Sequence, residues 1–138
     1  MGMYTELIFD ATLKKDTPEE VINILKYMIS DDLNNIPKIP KHDFFKATRW
    51  KYLFKSPAYL RKLWFNDDLK TWIISARSNI KNYDSEIEKF LDWIKPYIEC
   101  GSGSRDFYAI VLYQFIQNKK IIIEIKKYMK LNYNYGYC

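Results

Sequence analysis

Residues 106–116, DFYAIVLYQFI, are apolar on both faces of an extended chain. Alternation puts Phe107, Ala109, Val111, Tyr113 and Phe115 on one side and Tyr108, Ile110, Leu112 and Ile116 on the other. Such a segment suits a central strand, covered above and below. The following QNKK reads as a turn and IIIEI as a strand that pairs back.

The rest of the chain supplies strands and helices to go with it. From Tyr4 to Leu13 the residues alternate, with Leu7, Phe9, Ala11 and Leu13 opposite Glu6, Asp10 and Thr12, which predicts a half-buried strand. In DTPEEVINILKYMIS, Thr17 is placed to cap, Pro18 to take the first helical position and Glu20 to close a capping box. Val21, Ile22, Leu25, Met28 and Ile29 then recur at helical spacing. A second helix is predicted in NYDSEIEKFLDWIKPYIE. Ser85 and Glu88 have capping-box spacing, Asp84 and Glu86 suit the positive end of the dipole, Ile87, Phe90, Leu91, Ile94 and Ile98 form an apolar stripe, and Pro96 ends the helix near Lys95.

Residues 59–65 and 70–80 flank Asn66-Asp67-Asp68-Leu69, a polar turn between apolar runs, and predict a hairpin. In ATRWKYLFKSPAYLRKLWF, period two makes a strand of residues 49–55 and puts Trp50, Tyr52 and Phe54 on one face, with Pro57 ending it. Burying those three aromatics contributes roughly 1.5–3 kcal/mol each, so they are expected in the core, with Arg49, Lys51 and Lys55 left in solvent. The same mix of bases and rings also describes a phosphate-contacting, base-stacking surface. The expected fold is α+β: a mostly antiparallel sheet of about five or six strands with two helices packed on one face. With 138 residues and 48% hydrophobic content, one domain over residues 1–138 is expected. Within it, 31–46 reads as a long linker, 101–104 as a Gly/Ser connector and 126–138 as a flexible tail.

Charge is segregated along the chain. Net charge is +5, but residues 1–37 carry −4, residues 38–62 carry +7 and residues 117–138 carry +4. Such segregation favours an acidic protein face or a nucleic acid. The expected partner-binding set is therefore Lys41, Lys46, Arg49, Lys51, Lys55, Arg61 and Lys62.

Chemistry-bearing motifs are sparse. His42 is the only histidine, which removes any site built on two imidazoles, and it reads as an exposed linker residue. GSGS lacks phosphate-loop spacing. The acid pairs Asp31-Asp32 and Asp67-Asp68, and the set Asp84, Glu86, Glu88 and Asp92, fit turns and helix starts better than metal or acid–base sites. No metal, cofactor or catalytic residue is expected. Cys100 and Cys138 are expected to form no disulfide framework, MGMYTELIF reads as lacking a leader, and no run nears the roughly 20 apolar residues that span a bilayer. The expected setting is the cytoplasm, with no membrane partner.

The strings MGMYTEL, TPEEVINILKYMI and SNIKNYDSEIEKFLDWIKPYI resemble those of small accessory proteins of bacteriophages and prophages of low-GC bacteria. The resemblance covers residues 1–30 and 76–98 best and is lost after Gly101. It carries no catalytic motif and implies a context: such proteins often bind host components, and anti-CRISPR proteins are one such class. The implied function is a non-enzymatic protein that binds and sterically blocks a host nucleoprotein defence complex, such as a CRISPR effector. The alternative is a stand-alone nucleic-acid-binding module that uses a basic, aromatic sheet surface.

Overall fold

The computed structural model of the chain describes residues 3–55, 60–101, 103 and 106–130. In chain order these form β1 (Thr5–Leu13), α1 (Glu19–Ile29), short 3-10 turns at Asp43–Lys46 and Trp50–Tyr52, β2 (Arg61–Asn66), β3 (Thr71–Ile80), α2 (Glu86–Ile94), a 3-10 turn at Lys95–Tyr97, β4 (Ile98–Gly101), β5 (Phe107–Gln117) and β6 (Lys120–Met129). The strands make one sheet in the order β2-β3-β1-β5-β6, with β4 also paired to β1. Every pairing is antiparallel, so the fold is α+β as its patterning predicts.

β1 holds the sheet together because both of its edges are used. One edge pairs with β3 from Thr5↔Ile80 to Thr12↔Ile73. The other is shared: β5 takes Thr5↔Tyr113 to Phe9↔Ala109, and β4 takes the end of the strand after β5 has diverged. The alternation of β1 then sends Leu7, Phe9, Ala11 and Leu13 to one face, where all four are fully buried. Ile74 and Ala76 of β3 and Ala109 and Val111 of β5 join them.

Both helices bury their stripes on this face. Phe9 of β1 meets Phe90 of α2 edge-on at 5.1 Å between centroids, and Lys26 of α1 lies 4.8 Å above the Trp72 ring of β3. The third covering element is residues 43–54, and it departs from expectation. Trp50, Leu53 and Phe54 are buried while Tyr52 is half exposed. The side chains therefore follow the i, i+3, i+4 spacing of a helical turn, not the period of a strand. The physical reason lies in the neighbours: Phe44 and Phe90 already stand 5.5 Å apart, and a turn lets Trp50 reach Phe44 and Phe54 reach Phe90 together. The six strands among the described residues fall within the expected five or six, but β4 replaces the strand read at 49–55.

Three further expectations are corrected. Residues 31–46 are not only a linker, since Phe44 within them is fully buried and touches Trp93 and Phe90. Residues 126–129, placed in a flexible tail, are the end of β6, where Lys127 pairs with Ile110 and Tyr128 with Ala109. Cys100, in β4, is buried and disulfide-bonded, where no disulfide is expected from the sequence. Pro57, Tyr59, Ser102, Ser104, Cys138 and the chain from 131 onward lie outside the described residues. Among the described residues no helix is long and apolar enough to cross a membrane.

Candidate functional site

The start of α2 is built differently from a capping box, and that difference shapes a cleft. Ser85 has φ 54° and makes no side-chain cap bond. Asn82 takes the role instead: its Oδ1 accepts from the Ile87 amide at 3.0 Å and its Nδ2 donates to both Glu88 oxygens at 2.6 and 2.9 Å. Residues 81–85 lead into the helix as a loop in which all but Asn82 are exposed. They face the 50–52 turn across a cleft of about 500 Å³ whose walls include Arg49, Tyr52, Lys81, Tyr83, Asp84 and Glu86.

The rim of this cleft is aromatic and carries both charges, Arg49 and Lys81 beside the exposed Asp84. Tyr52 is 51% and Tyr83 74% exposed, and Arg49 and Lys81 are exposed as well. The Lys81 ammonium lies 5.8 Å from the centre of the Tyr83 ring, a contact that costs little to break in water. At the base, Glu86 is 4% exposed and its Oε2 has no hydrogen-bond partner among the described residues. An unpartnered buried carboxylate oxygen is costly, and it leaves one acceptor for an incoming donor. Two cations, an exposed acid and two rings at the rim, with an acceptor below, form a surface suited to bases or a polar protein edge.

The seven basic residues expected to act together are spread over separate parts of the molecule. Arg49 stands at this cleft. Lys41 and Lys46 line another, of about 550 Å³, where Lys46 pairs with Asp43 at 3.4 Å. Lys51 is half-buried in the 50–52 turn. Lys55 and Arg61 are spent internally: Lys55 Nζ donates to the Tyr27 carbonyl at 2.9 Å, and Arg61 donates to the Phe54 carbonyl at 3.1 Å and pairs with Asp31. Burial, with Arg61 nearby, pulls the Lys55 ammonium below its usual pKa. Lys62 opposes Ser75 on the far face of the sheet, with its ammonium 4.7 Å from the Trp64 ring. The row of Arg49, Lys51 and Lys55 expected from a strand is thus broken up, because a turn rotates its residues apart.

His42 is structural here, and less exposed than a linker histidine. Its Nδ1 accepts from the Phe44 amide at 3.0 Å, so the ring proton sits on Nε2, which meets Asp92 Oδ2 at 3.0 Å. The imidazole fastens the 43–46 turn to α2. Cys100, already in a disulfide, offers no thiol to pair with it. Among the described residues no group of three or more His, Cys, Asp or Glu is placed to hold a metal ion.

Sequence reasoning missed Lys81, Tyr83 and Glu86 as members of one site. Their signal was Asn82-Tyr83 ahead of the helix, a turn-former beside a ring, with Glu86 read only as a dipole partner. No family model matches this sequence, and no curated protein or solved structure is significantly similar to it.

Proposed function

We propose that this chain is a non-enzymatic accessory protein of the phage type that binds a host nucleoprotein defence complex, such as a CRISPR effector, and blocks it by occupying a working surface. The observation that supports this reading is the cleft in which Arg49 and Lys81 flank the exposed Tyr52 and Tyr83. Cations steer approach to a polyanionic complex, and exposed rings with few torsions contribute contact at small entropic cost. Mimicry of DNA calls for an acidic surface, whereas this chain is basic overall. Steric block is therefore the mechanism proposed, with the rim of the cleft touching guide RNA or an acidic protein face.

The exposed tyrosines also favour a second reading, a module that binds nucleic acid alone by stacking. Both readings are tested by titrating the chain against a purified effector with its guide RNA, and against the same RNA free. Tight binding to the complex and weak binding to bare RNA are expected, with relief of interference when the chain is expressed in a CRISPR-armed strain. The double variant Arg49→Glu, Lys81→Glu should weaken binding at least about tenfold, mainly through slower association, with an unchanged melting temperature. Equal affinity for bare RNA, falling log-linearly with salt, selects the second reading. Binding to neither overturns both.

A further inference from the structure

The strand that is apolar on both faces is fully covered on only one; on the other, Ile110 and Leu112 are half-buried, and Tyr108 joins the core at an irregularity between Phe107 and Ala109. Helices and the 43–54 segment bury the Val111 side of β5, whereas Ile116 on the opposite side is 57% exposed. Next to it, β6 sets Ile121, Ile123, Ile125 and Met129 on the same bare side, each half exposed or more. β6 is also the last strand of the sheet and is ten residues long, with no strand on its outer edge among the described residues. A long, apolar edge of this kind is a template for another strand.

The residues along β6 specify which strand fits. We infer that β6 is the seam of a dimer, in which the β6 strand of a second copy of this chain runs antiparallel alongside it about a two-fold axis through Ile125. In that register Glu124 lies opposite Lys126 of the second copy, and symmetry repeats the pair. Ile122 lies opposite Tyr128 on the same face. On the bare face Ile125 meets itself and Ile121 meets Met129, while only Ile123 faces a charged residue, the stem of Lys127. A slip of the second copy by two residues one way puts Glu124 opposite Glu124, and the other way puts Lys126 opposite Lys126. Like charges directly opposite are destabilising; in this register the facing Lys120 and Lys130 lie at the two ends of the strand, where Lys130 donates to the Ile98 carbonyl, whereas each neighbouring register puts a like pair at its centre and is penalised. The other edge of the sheet, β2, is shorter, at six residues.

This seam is separate from the proposed partner cleft and does not depend on it. Sedimentation equilibrium of the full chain should give twice its 16.7 kDa. Glu124→Lys and Lys126→Glu, both at exposed positions, should each weaken association about tenfold or more, because each replaces two attractive pairs with two repulsive ones. Mixing the two variants should restore a dimer, since every facing pair across the seam then joins a lysine of one chain to a glutamate of the other. The double variant carrying both changes should also associate like the parent chain. Melting curves close to that of the parent chain would show that the fold survives each change. A chain that stays monomeric at about 100 μM overturns the inference. So does a dimer indifferent to both reversals, which would have its interface elsewhere.

Discussion

Asn82 holds the first turn of α2, and it does so from a left-handed backbone with φ 58°. Asparagine tolerates that region better than most residues, so one side chain meets both the conformational and the capping demand. Replacing Asn82 by Ala removes the acceptor for the Ile87 amide and the donor for Glu88 while keeping the strain. Stability should fall by about 1–2 kcal/mol. Ser85→Ala, at a position whose hydroxyl makes no cap bond, should stay within about 0.5 kcal/mol. Urea midpoints of the two variants decide it, and a larger loss at Ser85 would refute this account of the cap. Thr17 differs from its expected role in a similar way: its hydroxyl turns back to the Lys14 carbonyl at 2.6 Å and leaves the α1 amides alone. In both cases the spacing of a capping box is present, and a nearer backbone or side-chain partner wins.

At the level of elements, the turn between β5 and β6 is the sharpest test of hairpin chemistry. Asn118 and Lys119 have φ 52° and 62°, so both central residues are left-handed, as a primed two-residue turn requires. Asn suits its place and Lys does not. Lys119→Gly should therefore stabilise the chain by roughly 1 kcal/mol, read as a higher melting temperature. An unchanged or lower value would contradict the turn assignment. This hairpin, its counterpart around Asn66 to Lys70 and both helices were legible in the sequence, because apolar periodicity and turn residues agreed at each. Residues 49–55 were not, since Trp50, Leu53 and Phe54 fit a helical turn as well as Trp50, Tyr52 and Phe54 fit a strand. Packing against Phe44 and Phe90 made the choice. β4 is only four residues long, too short for any periodicity to announce it.

For the molecule as a whole, the candidate site was the least legible feature because charge along a chain is not charge on a surface. The segment 38–62 passes from one cleft through a buried turn to the far face of the sheet, so its +7 is distributed and never becomes one patch. The sheet itself has a graded interior. β1 is paired along both edges and buried on one face, whereas β6 among the described residues has one paired edge and mostly exposed side chains. Hydrogen exchange of the monomer should therefore leave the amides of Leu7 to Ala11 protected longest and release those of β6 first. Comparable protection in the two strands at low protein concentration would contradict the gradient. The central position of β1 also has a consequence for how the chain comes into being. It leaves the ribosome before every strand it pairs with, and Phe9 waits for Ala109. At roughly 5–20 residues per second, that partner follows about 5–20 seconds later. During synthesis the strand at the heart of the sheet is thus an unmet apolar ribbon, first joined by β3 and closed only by β5, so a nascent chain halted before β5 would be a substrate for chaperones.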